Sequence, residues 1–267
     1  MHLKSLRVSM IVSVAILLST FAAHAADLQA PYKAPAYVAP AIFDWTGYYA
    51  GFNAGYGFGK SDDSVVVTNP GTLFVGTEPA AVAAAGAASQ SPKGFLGGVQ
   101  VGYNWQWGHI VAGLEADFDY MGLKASTTGT APDPVVVGNS YNISQEIKTN
   151  WLGTARPRIG WAFDNFLVYA TGGVAVSQIK YTSSHSETTT IAAGSRSTNP
   201  IKLGWVAGLG VEWAWSQRWS VKAEYLYTRI ASVSTDYGVT DGVLTGSEGG
   251  AANLNINIAR LGVNYRF

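Results

Sequence analysis

Five stretches of this chain alternate with a period of two residues, and in the three that hold carboxylates these keep to one side. In the first, Tyr48, Ala50, Phe52, Ala54, Tyr56 and Phe58 oppose Gly47, Tyr49, Gly51, Asn53, Gly55 and Gly57. Next, Phe95, Val99, Val101, Tyr103, Trp105 and Trp107 oppose Leu96, Gly98, Gln100, Gly102, Asn104 and Gln106. A third sets Ile110, Ala112, Leu114, Ala116, Phe118 and Tyr120 against Val111, Gly113, Glu115, Asp117, Asp119 and Met121. Two later stretches, Leu203 to Trp215 and Trp219 to Tyr227, carry Lys202, Glu212, Lys222 and Glu224 on the face opposite their aromatics. Strict period two predicts β-strand. A soluble sandwich or lipocalin-like barrel would point the bulky face inward and the charged face at water. Here the polar face is crowded with glycine and holds both signs of charge, which suits a narrow lumen. The pattern therefore predicts a barrel with its apolar side in lipid and its polar side enclosed.

The composition agrees with lipid. Charged residues are 13% of the chain, against about 25% in soluble domains. Mean hydropathy is only +0.11, and no apolar run beyond the N-terminus approaches the roughly 20 residues of a spanning helix. There is no cysteine, which removes a disulfide framework, a thiolate metal site and a cysteine nucleophile. Lys4 and Arg7 precede an apolar stretch ending in Ala23-His24-Ala25, the build of a secretory signal cleaved after Ala25. The expected organisation is a signal peptide over 1–25, a Pro/Ala-rich periplasmic arm over 26–44 and a barrel over 45–267. No basic excess points to nucleic acid.

Connections alternate between short turns (Gly108-His109, Asp164-Asn165, Ser216 to Arg218) and long loops near 60–92, 124–147, 182–199 and 232–252. Between them the chain divides into eight strands, an even number that returns both ends to the periplasmic side. The expected fold class is all-β, an eight-stranded antiparallel up-and-down transmembrane barrel. Aromatics collect at membrane interfaces. Trp45, Trp105, Trp107, Trp161, Trp213, Trp215 and Trp219 lie beside the short-turn ends and form an expected periplasmic girdle. Tyr56, Phe58, Phe95, Phe118, Tyr120, Trp151 and Tyr227 form the outer one. Two places resist this reading. Pro157 lacks a ladder donor and predicts a bulge or broken pairing. In the last strand Leu254, Ile256 and Ile258 keep one phase while Leu261, Val263, Tyr265 and Phe267 keep the other, which predicts either a bulge near Ile258 or an upper half standing above the membrane.

A three-residue turn pairs Trp215 with Trp219 and places Glu212 opposite Lys222. Inward-facing Glu115, Asp117, Glu212 and Glu224 are then expected to neutralise Arg156, Arg158, Lys202, Lys222 and Arg260, because unpaired buried ions are costly.

Phe43-Asp44-Trp45-Thr46-Gly47-Tyr48-Tyr49-Ala50-Gly51, Trp151-Leu152-Gly153-Thr154 through Arg158-Ile159-Gly160-Trp161, Tyr169-Ala170-Thr171-Gly172-Gly173 and the closing Arg260-Leu261-Gly262-Val263-Asn264-Tyr265-Arg266-Phe267 together resemble the RopB-type family of alphaproteobacterial outer-membrane proteins, within the OmpA-like eight-stranded barrels. The resemblance covers nearly the whole mature chain. It implies a surface-exposed structural protein of the outer membrane, with no cofactor and with loops available to host or surface ligands. It also implies that Tyr265 and Phe267 form a C-terminal signal read by the barrel-assembly machinery.

Little else in the sequence suggests chemistry. Ala54 to Ser61 nearly imitates a phosphate-binding loop but lacks its first glycine and its helix. His109 and His185 are the only histidines past residue 25, too few for a histidine metal cluster. His185-Ser186-Glu187 offers the residue types of a lipid-modifying hydrolase, although neighbours on one short segment rarely reach triad geometry. A structural and surface-interaction role leads. A narrow porin-like channel is the alternative, since Gly51, Gly55, Gly98, Gly102, Gly208 and Gly210 could leave a thin water path; an outer-membrane lipid-modifying enzyme is the third reading.

Overall fold

A computed structural model describes residues 43–267. The expected signal peptide and the arm up to residue 42 lie outside the described residues. Strands β1 (Gly47–Asn69), β2 (Ala88–Gln90), β3 (Lys93–Trp107), β4 (Ile110–Pro132), β5 (Ser140–Phe163), β6 (Phe166–Glu187), β7 (Ala193–Thr198), β8 (Ile201–Ala214), β9 (Trp219–Thr240) and β10 (Thr245–Arg266) form one sheet, and α1 (Glu78–Gly86) is the helix between β1 and β2. Neighbouring strands run antiparallel. β10 returns to pair with β1 from Tyr49↔Arg266 to Asn69↔Ser247, so the sheet closes on itself.

Ten strands make eight staves. β2 and β3 both pair with β1, and β7 and β8 both pair with β6. Ser91-Pro92 separates the first pair and Asn199-Pro200 the second. Proline has no N–H to give the ladder, so each stave is interrupted there. The proline carbonyls still accept from Gly59 N at 2.8 Å and Ile179 N at 3.1 Å.

The short connections are tight turns, with Gly108 at φ 60° and Asp164 at φ 51°, the left-handed conformation such hairpins need. The long loops are shorter than expected. β4 runs to Pro132 and β5 begins at Ser140, while β9 runs to Thr240 and β10 begins at Thr245. Much of 60–69, 124–132, 140–147, 182–187, 232–240 and 245–252 is strand.

The reason lies in a change of side rather than of phase. Inner residues of the lower barrel include Glu115, Asp117, Arg156, Lys222, Glu224 and Arg260; inner residues above them are Leu96, Met121, Leu123, Ile147, Leu152, Ile179, Leu226, Ile230, Leu254, Ile256 and Ile258. Along β10 the residues Leu254, Ile256, Ile258 and Arg260 alternate inward without a break. The register from Ser61↔Leu254 to Tyr49↔Arg266 is unbroken. There is no bulge at Ile258: the two phases are an apolar interior above the membrane and an apolar exterior within it. At Pro157, β4 stays in register (Leu114↔Pro157) while the ladder to β6 skips from Ala155↔Val174 to Arg158↔Thr171. Pairing is interrupted on that one side, and Thr171 Oγ1 donates to the Pro157 carbonyl at 2.9 Å.

Candidate functional site

The enclosed charges occupy the lower half of the lumen. Glu115 and Arg156 are cross-strand partners on β4 and β5, as are Glu212 and Lys222 on β8 and β9, and Glu224 and Arg260 on β9 and β10. Arg156 Nη2 donates to Glu115 Oε1 at 2.6 Å and to Asp117 Oδ2 at 2.7 Å. Lys222 Nζ grips both oxygens of Glu115 at 2.8 and 2.7 Å. Arg260 spans Glu224, Asp117 and Asp119 through bonds of 2.8 to 2.9 Å. Arg158 Nη1 meets Glu212 Oε2 at 3.1 Å, and its guanidinium lies between the rings of Tyr49 and Tyr169, 4.8 and 4.9 Å from their centroids. Five carboxylates thus face four cations, all buried.

Lys202 stands apart. It lies on the inner phase opposite Ser177, half-buried, and makes no ion pair among the described residues.

Asp119, which shares the polar face of β4 with Glu115 and Asp117, pairs with Arg260 as lumen salt-bridging requires, whereas the hydrogen-bonding partners around the charges were not singled out from the sequence. Tyr49 donates to Glu115 Oε2 at 2.8 Å and Tyr169 to Glu224 Oε1 at 2.9 Å, while Ser220 and Asn264 both donate to Glu212. The available signal was phase: all of them sit on the same face as the charges.

The inner glycines stand close against their neighbours. A Cβ at Gly102 would strike the Tyr49 ring, one at Gly210 the Tyr169 ring, one at Gly98 the Asp119 carboxylate and one at Gly208 the Leu226 side chain. Gly51 faces Asn264 and Gly55 faces Arg260 in the same way. Each glycine makes room for a long neighbour. Above and below, the lumen is packed with apolar residues. Trp45, Val111, Ala162, Leu167, Tyr169 and Ala214 close the lower end. Phe74, Val82 and Ala85 of the β1–β2 segment fill the upper mouth against Val65, Tyr141, Ile143, Tyr237 and Val239.

Trp105, Trp107, Trp161, Trp213, Trp215 and Trp219 all project outward at the short-turn end, and Trp215 stacks on Trp219 with centroids 6.2 Å apart. Trp45 does not join them: it is 2% exposed and plugs the lumen. Its position before β1, not on the barrel wall, explains the difference. Tyr265 packs edge-on against Trp219 and Phe267, and the Phe267 N–H donates to the Tyr48 carbonyl at 3.1 Å.

The His185-Ser186-Glu187 segment is strand, so Ser186 points away from His185 and no triad forms. His185 instead faces inward. Its Nδ1 lies 2.8 Å from Glu248 Oε1 and its Nε2 3.4 Å from Glu187 Oε1. Burial works against the charged form, but the contacts with Glu248 and Glu187 outweigh it and raise the pKa above the usual 6.5. Tyr237 donates to the other Glu248 oxygen at 2.7 Å.

A layer of paired ions, flanked by apolar clusters and clothed outside in aliphatic and aromatic side chains, can anchor a protein in lipid and orient what it carries. Comparison with known proteins gives the same placement. The 31 kDa outer-membrane immunogenic protein of Brucella melitensis is 32% identical over 96% of this chain and 97% of its own. The 25 kDa outer-membrane immunogenic protein of Brucella abortus is 28% identical over 99% of this chain and 100% of its own, and the 22 kDa outer membrane protein of Rhizobium leguminosarum is 30% identical over 65% and 67%. The sequence profile described as the outer membrane protein beta-barrel domain matches residues 13–267. The chain belongs to that family, among its alphaproteobacterial members resident in the outer membrane.

Proposed function

We propose that this protein is a non-conducting, non-enzymatic barrel whose role is structural and whose strand-built hairpins form an interaction surface outside the cell. The observation that carries this reading is the filling of the lumen: the ion cluster lies between two apolar plugs, and inner glycines are occupied by neighbouring side chains. An eight-stranded barrel has an interior just wide enough for side chains. The hairpin tips support the second half of the reading. Val135, Val136 and Val137 at one tip, Ile191 at another and Val243 at a third are exposed, Val137 completely. Grouped apolar residues at such tips favour contact with a partner. The Brucella relatives are named immunogenic, which fits a surface that a host can reach.

Planar-bilayer recordings test the closed lumen. The expected result is no steady conductance above that of protein-free bilayers. A stable single-channel current from the intact chain would favour the narrow channel instead. Binding assays with variants carrying Ser at Val135, Val136 and Val137 test the surface role, with weaker binding to host-cell or matrix surfaces expected.

A further inference from the structure

The outer wall carries an arrangement that the lumen does not explain. Lys93 on β3 lies directly opposite Lys124 on β4, Lys124 opposite Lys148 on β5, and Lys148 opposite Lys180 on β6. All four are on the outer phase. Three inter-strand steps make a row roughly 14 Å long. Like charges directly opposite one another destabilise a sheet, and here three such pairs follow in succession. Glu146 relieves the middle, 2.9 Å from Lys124 and 3.1 Å from Lys148. Lys93 and Lys180 have no carboxylate within reach among the described residues.

Depth identifies what neutralises the rest. Phe95, 79% exposed, is the next outward residue below Lys93, and Tyr120, 69% exposed, is the aromatic below Lys124. Trp151, stacked on Phe118, lies just below Lys148. Above the row the outer wall turns to hydroxyls: Ser126, Thr128 and Thr130 on β4, Thr182, Ser184 and Ser186 on β6. The row therefore sits where an aromatic girdle gives way to a polar wall, which is the headgroup zone of the leaflet. Lysine ammonium groups at that depth complement anionic headgroups.

We infer that Lys93, Lys124, Lys148 and Lys180 form a binding row for a phosphorylated glycolipid headgroup of the outer leaflet. The lipid supplies the negative charge that the sheet lacks, and the barrel is fixed laterally to it. This contact is independent of anything the hairpin tips bind.

The test uses the full chain isolated from outer membranes, stripped of lipid in detergent and placed in phosphatidylcholine nanodiscs. Nanodiscs are doped with diphosphoryl lipid A, with its dephosphorylated form, or with phosphatidylglycerol, and retained lipid is measured. Wild type is expected to retain diphosphoryl lipid A in preference to both others. The variant carrying K93Q, K124Q, K148Q and K180Q is expected to bind it at least about tenfold more weakly, while the corresponding four-Arg variant keeps the affinity. Without lipid A the Gln variant is expected to show a heat-modifiability midpoint equal to or above that of wild type, because repulsion has been removed. Equal retention by wild type and the Gln variant, or retention of dephosphorylated lipid A or phosphatidylglycerol as strong as that of the diphosphoryl form, would overturn the inference.

Discussion

Val101 and Gln100 are neighbours on β3 with opposite surroundings, and the contrast tests the facing of the whole barrel. Val101 is 56% exposed on the lipid side, whereas Gln100 is buried opposite Asp117. A basic residue at mid-depth on the lipid face costs about 2–4 kcal/mol. An arginine at position 100 would instead enter a cluster with one carboxylate in excess. Val101→Arg is therefore expected to lower membrane yield and heat-modified mobility more than Gln100→Arg; matching yields would contradict the assigned faces. His185 gives a pH dependence of defined sign. Its folded pKa is raised above the unfolded 6.5, so its contribution to the outer end of the barrel is full below that value. The contribution fades as pH climbs through the higher folded pKa. Hydrogen exchange of the upper β6 and β10 amides is expected to be slower at about pH 6 than at about pH 9, beyond the intrinsic rate change, and His185→Gln should abolish the difference. At this scale the sequence announces which face a residue takes but not its reach. Glu115 and Arg260 were legible as enclosed charges, whereas the position of Lys202 away from the cluster depends on how far up β8 it stands.

Strand phase was legible across the lower barrel because most outward residues there are bulky and apolar while glycine and charge keep to the inner face, with exceptions such as outward Gly97 and inward Leu96. The upper barrel was hidden for a physical reason. Above the lipid the outer face meets water, so Ser and Thr move outside and Ile and Leu move inside, and the same period reads as a contradiction in β10 and as loop in β4 and β5. The prolines act on pairing one side at a time. Pro157 keeps its register with β4 and loses pairing toward β6, while Pro92 and Pro200 interrupt two staves. Glycine is the element-scale device that lets neighbouring strands share the lumen. A Cβ at Gly102 would collide with the Tyr49 ring, while one at outward-facing Gly122 would meet nothing closer than 3.6 Å. Gly102→Val is expected to lose about 1–3 kcal/mol through overpacking, seen as an earlier urea midpoint in detergent. Gly122→Val should unfold close to wild type, and a similar loss for both would remove packing as the cause.

For the whole molecule, the consequence of this polarity exchange is height. A transmembrane strand needs about 9–11 residues, yet β4 has 23 and β5 has 24. The excess of roughly 12 residues, at about 3.3 Å each along a tilted strand, carries the hydrogen-bonded wall some 30 Å beyond the lipid. A protein built this way presents a rigid, capped cylinder with small tips, not a canopy of loose loops. Protease cleavage distinguishes the two, because hydrogen-bonded strand resists insertion into a protease cleft whereas exposed tips accept it. Treating intact cells with a broad-specificity protease is expected to give first cuts only within 70–77, 133–139, 188–192 and 241–244, with the flanking strands recovered whole. The interior packing of Leu254, Ile256 and Ile258 against Ile230 and Leu123 should keep the cut halves associated until they are boiled. Early cuts inside 60–69 or 124–131, at rates matching the tips, would mean that these segments are open loops, and the argument for a projecting, inside-out upper barrel would fall with them.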